Sequence, residues 1–146
     1  IKPQKEAQFD QLFFWQHCLF VAGLSRAIAV TFKHPDPDRI YAAGLLHDIG
    51  KIVLETHGVV SYSEFLTFFE KSDSAIPENE NTFFGMTHTE IGYVFCKQWD
   101  LPEVITATAF LHHSDFLDHS LAKEFETDIA IISFANFIFA PFNHSW

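Results

Sequence analysis

Apolar side chains recur three or four residues apart through most of the 146-residue chain, which is the spacing of one face of an α-helix. The longest such stretch covers 9–32, and the proline-rich segment 34–37 is expected to end it because a residue before proline avoids helical dihedral angles. Further helices are predicted over about 38–55, 62–71, 87–99, 102–113 and 126–140. The pattern carries no strand-hairpin signal, so it predicts one all-α domain of about five to seven helices.

Polar residues mark several helix ends. Residues 61–64 (Ser-Tyr-Ser-Glu) and 87–90 (Thr-His-Thr-Glu) have capping-box spacing, in which a hydroxyl and a carboxylate bind N–H groups of the first turn. Asp36 or Asp38 can cap the second helix in the same way. Exposed polar connections are predicted over 72–85 and 114–124.

The composition narrows the classes of protein that fit. A chain with 48 % hydrophobic and 19 % charged residues is typical of a globular domain. The net charge is −10 and the nine Lys and Arg are scattered, so the chain lacks the clustered basic face that direct nucleic-acid binding needs. No apolar run reaches the roughly 18 to 20 residues that cross a bilayer, and no membrane association is expected. The chain begins at Ile1 without a signal-peptide pattern, so we expect a cytoplasmic fragment with Cys18 and Cys96 as free buried thiols.

Residues 43–51 (Ala-Gly-Leu-Leu-His-Asp-Ile-Gly-Lys) carry the strongest chemical signal. Adjacent His47 and Asp48 can reach one ion at a helix edge, and imidazole nitrogen with carboxylate oxygen suits zinc, iron, manganese and related divalent ions. Lys51 lies one turn after His47, where its ammonium can hold a phosphate oxygen, or can simply face solvent. Gly50 allows another backbone or a ligand to approach closely.

Other histidines lie inside apolar helical stretches, and helical bundles build metal pockets from several helices. Taken singly, each has an ordinary interpretation: His17 as a hydrogen-bonded core residue, His88 as a surface residue beside a cap, and His112 with His113 as a favourable helix C-terminus. The remaining histidines are assigned to solvent or loops: His34, His57, His119 and His144.

The order of these residues resembles that of the HD phosphohydrolase superfamily, and more closely that of the HDOD family (HD-related output domain) of bacterial signalling proteins. The matching phrases are residues 14–18 (Phe-Trp-Gln-His-Cys), 43–51, 85–92 (Gly-Met-Thr-His-Thr-Glu-Ile-Gly), 99–102 (Trp-Asp-Leu-Pro) and 112–113 (His-His). The Trp-x-Leu-Pro phrase separates the HDOD family from plainer HD enzymes. The sister HD-GYP family, which hydrolyses cyclic di-GMP, has a Gly-Tyr-Pro phrase after its His-His pair, and this chain has none.

The resemblance implies a metal site. One ion would be held by His17, His47, Asp48 and Asn136, and Asp48 would bridge to a second ion held by His88, His112 and His113. The ions could be Fe, Mn, Zn, Mg or Ni, and their number two, one or none. In an active enzyme they would activate a water, with Asp48 and Lys51 as the catalytic residues and Lys51 steadying the phosphate.

One position departs from the superfamily pattern. The superfamily's last ligand is an Asp, whereas residues 132–136 (Ile-Ser-Phe-Ala-Asn) place Asn136 there, with Asp128 as a less suitable substitute. A neutral amide holds a divalent cation less well than a carboxylate, so this departure favours a weakened site.

Three functions remain open: a signalling domain with a degenerate metal site, a working phosphohydrolase acting on a nucleotide or cyclic dinucleotide, and a purely structural helical module. The expected partners are other signalling domains or proteins. The family usually has a helical segment before its Phe-Trp-x-His phrase, so we expect part of a larger helical unit in a longer signalling protein. Without that helical segment to cover them, Phe9, Phe13 and Phe14 are expected to lie on an exposed patch or in a homodimer contact.

Overall fold

The computed structural model describes residues 9–69, 76–113, 120 and 122–139, and within these ranges it contains eight α-helices and no strand. The helices are α1 (Gln11–Thr31), α2 (Pro37–Leu46), α3 (Ile49–His57), α4 (Tyr62–Phe69), α5 (Ile76–Phe84), α6 (His88–Gln98), α7 (Glu103–Leu111) and α8 (Ala122–Phe139). The all-α prediction is confirmed. The count reaches eight because α2 and α3 are the two parts of one predicted helix and because α5 forms in a segment predicted to be a loop.

The prediction of one helix over 38–55 is wrong at its centre. The chain leaves α2 after Leu46 and enters α3 at Ile49, with His47 at the C-cap and Asp48 at the N-cap of the two helices. Asp48 has φ −100° and ψ 16°, outside the helical basin. The two residues with the strongest metal-binding signal therefore occupy a helix junction, where their side chains project from the break.

Helix α1 begins and ends with local hydrogen bonds. The Asp10 side chain accepts from the Phe13 N–H, a typical N-cap. At the other end Lys33 adopts φ 57°, its N–H donates to Val30 and the next N–H donates to Ala29. This is a Schellman turn, so α1 ends before the proline-rich segment that was expected to stop it.

Helix α1 contains no uninterrupted apolar run of the length expected for a membrane span, but its mean hydropathy is high. Its 21 residues have a mean hydropathy of 1.3 over an 18-residue window, which meets the length and composition criteria for a span. Core helices of soluble proteins pass the same test, and α1 packs against both α2 and α8. Its length and composition are therefore weak evidence for a membrane helix.

Two apolar clusters form the core. The first joins α1, α2, α7 and α8 through residues such as Val21, Ile40, Leu111, Ile129 and Ile132. The second joins the start of α1 to α3 and α4 through Phe9, Phe14, Cys18, Leu54, Tyr62 and Phe65. On α1, His17 lies one turn after Phe14 and one turn before Val21, so the clusters meet beside its ring.

The prediction of exposed phenylalanines near the start is wrong for two of the three. Phe9 and Phe14 are buried and Phe13 is half-buried. The Phe9 N–H donates to Ser63 Oγ at 2.7 Å, and its ring packs edge-on against Tyr62. Helix α4 therefore supplies the cover that was assigned to a missing segment. The exposed apolar residues of α1 are Leu12, Trp15, Leu19, Phe20 and Val30.

The polar residues predicted to start helices do so, whereas the predicted polar loops are only partly observed. Both predicted capping boxes form, since Ser61 and Glu64 exchange bonds of 2.7 and 3.2 Å, and Thr87 and Glu90 exchange bonds of 2.9 and 3.2 Å. Asp36 caps α2.

The predicted exposed loop over 72–85 is wrong where α5 forms. Helix α8 begins before the predicted residue 126, and the predicted connection over 114–124 lies mostly outside the described residues.

Candidate metal centre

Asp48 is surrounded by imidazoles from four parts of the fold. Its Oδ2 lies 3.3 Å from Nε2 of His17 and of His47, and its Oδ1 lies 3.2 Å from Nε2 of His88 and of His112. These rings come from α1, the α2–α3 junction, α6 and the C-cap of α7. All five residues are buried, so a single carboxylate is the hub of the cluster.

The cluster divides into two parts that share Asp48. We call His17, His47 and Asp48 the His17 half, and Asp48, His88, His112 and His113 the His88 half. Within each, one potential ligand atom per residue lies within 4.8 Å of all the others. His113 is exposed at the edge of its half, whereas the other members are buried. The structure thus brings together six of the seven predicted ligands, whose binding of metal stays a prediction.

Backbone carbonyls fix the orientation of two rings. His47 Nδ1 lies 2.7 Å from the Gly44 carbonyl, and His112 Nδ1 lies 3.0 Å from that of Thr108. A carbonyl only accepts, so each Nδ1 must carry the proton and donate it. In the neutral ring Nε2 is then a bare lone pair directed at Asp48.

His88 is oriented by a carboxylate that the sequence analysis did not identify. Its Nδ1 lies 2.7 Å from Oε2 of Glu80, and its backbone N–H donates to the same oxygen at 2.7 Å. Glu80 lies on α5, within the segment predicted to be an exposed loop, and it is completely buried. Glu78 precedes it in the same polar stretch and is exposed, so no one-dimensional signal distinguished the two.

Lys51 binds the shared carboxylate. Its Nζ lies 2.8 Å from Asp48 Oδ2, and the side chain is almost fully buried. Lys51 therefore lies beside the candidate metal site, as predicted, and its ammonium contacts the carboxylate that is predicted to bind metal. This places a fixed positive charge in the His17 half.

The charges in the cluster shift several pKa values. Burial alone would raise the pKa of Asp48, but charge at His47 and Lys51 and hydrogen bonds from His112 and His17 hold it well below its usual range. Burial lowers the pKa of His112 to about 4, although the hydrogen bond that the protonated ring would donate to Asp48 acts the other way. Burial also lowers the pKa of His17. At neutral pH Asp48 is therefore an ionised carboxylate, and the lowered pKa values of His17 and His112 favour the neutral form of these two rings.

Such an arrangement fits a divalent cation. Lone pairs at Nε2 of His47 and His112 face carboxylate lone pairs at 3.2–3.3 Å, a mutual repulsion that a bound cation removes. Imidazole and carboxylate together are ligands for Zn, Fe, Mn and similar ions. In the metal-free protein, His17 Nε2 faces the bare Nε2 of His47 at 3.2 Å and Asp48 Oδ2 at 3.3 Å, so the neutral ring places its proton on Nε2, and its buried Nδ1 has no hydrogen-bond partner among the described residues. These imidazole nitrogens and the Asp48 carboxylate are therefore suitable ligands for the divalent ions that the sequence predicts.

The end of α8 lies beside the His17 half. The ring of Phe139 is 4.7 Å from that of His17, and Asn136 lies one turn earlier on the same helix face. Asn136 is half-buried, and its amide makes no hydrogen bond to the described residues of the cluster. Its role as a ligand stays a prediction.

Asp128 binds Arg39 and His34 outside the cluster. Its carboxylate accepts from Arg39 Nε at 2.8 Å and lies 2.9 Å from His34 Nε2. His34 lies in a loop, as expected, but its side chain is nearly buried against Asp128 and does not face solvent. His57 is exposed as expected. His119 and His144 lie outside the described residues.

Comparison with known proteins agrees with this arrangement. A model of the HDOD domain matches residues 1–115. An uncharacterized protein of Treponema pallidum (strain Nichols) is 31 % identical over an alignment of 121 residues that covers 80 % of this chain and 22 % of that protein. The crystal structure of an HDOD domain protein with unknown function from Geobacter sulfurreducens has a TM-score of 0.80 and 25 % identity, covering 93 % of this chain and 45 % of that chain.

A further match is the crystal structure of a candidate phosphohydrolase from Shewanella amazonensis SB2B. It has a TM-score of 0.66 and 20 % identity, covering 95 % of this chain and 49 % of that chain, which shows a shared fold. The chain spans less than half the length of each of these relatives. The segment matched by the family model contains every predicted ligand except Asn136. The chain belongs to the HDOD family.

Proposed function

We propose that this chain is a cytoplasmic bacterial signalling module that binds one divalent ion in its His–Asp cluster and has little or no phosphodiesterase activity of its own. Its partners are other signalling domains or proteins. The observation that carries the proposal is the 2.8 Å contact between the Lys51 ammonium and Oδ2 of Asp48, the one carboxylate shared by both halves of the cluster.

The charge balance supports a single ion. Two divalent ions bring about four positive charges, and the predicted ligand set offsets them only with Asp48, because neutral imidazoles and the Asn136 amide carry no charge. Beyond the ligands, the positive charge of Lys51 on Asp48 is offset by the negative charge of Glu80 on His88, so neither changes this balance. A second ion would therefore be bound weakly, and the clamp that two ions exert on attacking and leaving oxygens would be lost.

The burial of the cluster supports a regulatory role. His17, His47, Asp48 and His88 are each no more than 2 % exposed, so a phosphodiester has little access to them. Only His113 is exposed at the rim. When bound, a divalent ion would supply Lewis acidity and lower the pKa of a water ligand. The described side chains would orient that ion and exclude bulk water from it.

The alternative function is a working phosphohydrolase. It is favoured by the buried Lys51, which would steady a phosphate if its ammonium left Asp48, and by the intact His47–Asp48 pair. The two functions can be distinguished by measurement. Hydrolysis needs Asp48 and an ion that the substrate can reach, whereas signalling needs only that the protein binds the ion.

The test combines metal analysis with hydrolysis assays on the purified chain. We expect about one equivalent of metal per chain, no metal in Asp48→Ala, and no turnover of cyclic dinucleotides or generic phosphodiesters with manganese or iron supplied. Robust turnover that Asp48→Ala abolishes would establish the enzyme instead, and a wild-type chain unable to bind any divalent ion would overturn the proposal.

A regulatory role also requires that the fold respond to the ion. Because the Phe139 ring contacts His17, metal loading is expected to change hydrogen exchange near the end of α8. Identical exchange in the metal-free and loaded proteins would contradict regulation through this helix.

A further inference from the structure

Glu80 makes an unusual set of contacts for a residue without a predicted role. The carboxylate is completely buried and receives three donors: Tyr62 O–H at 2.6 Å, the His88 N–H at 2.7 Å, and His88 Nδ1 at 2.7 Å. These donors come from α4 and α6, and Glu80 itself lies on α5. A buried carboxylate is costly unless its oxygens are satisfied, and here both oxygens accept hydrogen bonds.

Two of the three donors belong to His88. Its backbone N–H, at the first position of α6, and its own ring nitrogen are held by one carboxylate. A single partner thus restrains both the backbone and the ring rotation of this residue. The result is that Nε2 points at Asp48 Oδ1, 3.2 Å away, and at His112 Nε2, 3.4 Å away.

The structure assigns Glu80 as a positioning residue that fixes His88 in the Nδ1–H tautomer, and so makes the His88 half the tighter of the two halves for a divalent ion. This inference rests on the metal binding proposed above. A carboxylate that accepts from the far nitrogen of a metal-binding histidine fixes the ring orientation and makes its near nitrogen a better donor to the metal.

The His17 half has no equivalent support. His17 Nδ1 has no hydrogen-bond partner among the described residues, so the tautomer that frees Nε2 for a metal would leave a buried N–H unsatisfied. Asp48 Oδ2, which faces this half, already bears the Lys51 ammonium. Asp48 Oδ1, which faces the His88 half, lies against imidazole nitrogens. The two oxygens of one carboxylate therefore differ in their readiness to bind a cation.

The first test measures Co²⁺ binding by titration calorimetry and visible absorption. Glu80→Gln keeps the shape of the side chain but removes its charge, and we expect the dissociation constant for the first Co²⁺ to rise about 10- to 100-fold. Tyr62→Phe is the matched variant, because it removes one bond to Glu80 and leaves His88 with its partner. It should weaken Co²⁺ binding much less than Glu80→Gln does.

The second test needs no variant. Nitrogen-15 NMR of the imidazoles in metal-free wild-type protein, in alkaline buffer, should show His88 with its proton on Nδ1. A His88 with its proton on Nε2 would overturn the inference even if Glu80→Gln failed to fold. In Glu80→Gln, if it folds, the two tautomers should mix.

The outcomes separate this inference from the proposed function. If the wild type binds Co²⁺ and Glu80→Gln matches it in affinity, the role of Glu80 is refuted while metal binding stands. If the wild type binds no Co²⁺, the proposed function and the ranking of the halves both fail. Alanine at His112 should abolish binding of the first ion and alanine at His17 should not, and the reverse order would also overturn the ranking.

Discussion

Gly50 lies directly against the backbone carbonyl of His88. A Cβ built on Gly50 would overlap that oxygen and would stand 2.9 Å from the Gly92 nitrogen. The first turn of α3 therefore touches the first turn of α6 backbone to backbone. This confirms the expectation that Gly50 permits another backbone segment to approach closely. The close contact between α3 and α6 brings His88 beside Asp48.

Gly50→Ala is expected to destabilise the fold by about 1–3 kcal/mol, because the added methyl group must displace backbone rather than a flexible side chain. It should also weaken metal binding, since His88 moves away from Asp48. Urea unfolding and Co²⁺ titration measure the two effects. Gly23→Ala is the control: nothing lies within 4 Å of its Cβ in α1, so it should stabilise by about 0.5–1 kcal/mol. Equal stability of Gly50→Ala and wild type would contradict the packing argument.

Asp48→Asn should cost about 3–5 kcal/mol in metal-free protein, because it leaves the buried Lys51 ammonium without its carboxylate. The double variant Asp48→Asn with Lys51→Met should recover part of that loss, since no uncompensated charge then remains. Chemical denaturation of the two single variants and the double variant gives the coupling. Additive losses would show that the pair contributes no specific interaction.

Asn136→Asp should raise metal content toward two equivalents per chain, because a carboxylate there would offset the charge of a second ion in the His17 half. Elemental analysis and a phosphodiesterase assay with manganese or iron supplied are the readouts. Asn136→Ala, which adds no charge, should leave the metal content at the wild-type value. If the aspartate variant behaves like the alanine variant, position 136 is not a ligand position.

The stability of the metal-free protein should fall as the pH drops from about 6.5 to about 4. Burial lowers the pKa of His112 to about 4 and also lowers that of His17, whereas an unfolded histidine titrates near about 6.5. The unfolded chain therefore binds more protons in this window, and stability that is present above it is lost as the pH falls. His88, whose pKa is raised by Glu80 despite burial, acts in the opposite sense.

Urea midpoints measured in EDTA across this range test the prediction. His112→Gln should flatten the profile, and the exposed His57→Gln should leave it unchanged. An unchanged slope in His112→Gln would mean that other groups determine the acid sensitivity.

Sequence reasoning succeeded where the signal was local. The capping boxes that start α4 and α6 depend on residues three apart in the chain, and both form as predicted. The proximity of His17, His47 and Asp48 was expected from the order of motifs in a resembling family. No local pattern predicted it, because His17 and His47 are 30 residues apart.

It failed where tertiary contacts override local preference. The apolar spacing over 38–55 continues through the break at His47, and contacts of Asp48 with α1, α6 and α7 accompany that break. Glu80 was missed for the same reason. Its polar neighbours indicate a loop, and its burial becomes evident only when α5 packs beside Tyr62 and His88.

Helix α8 is held firmly near one end and touches the metal centre at the other. Asp128 is fastened by Arg39 and His34, and Phe139 meets His17 eleven residues later, about 16 Å along the helix axis. A shift of the His17 ring that displaces Phe139 would therefore be transmitted to a helix whose other end is fixed at Asp128. The same stretch of α8 carries the exposed rings of Phe134 and Phe137, so a change at the His17 ring would alter the surface that these two rings form.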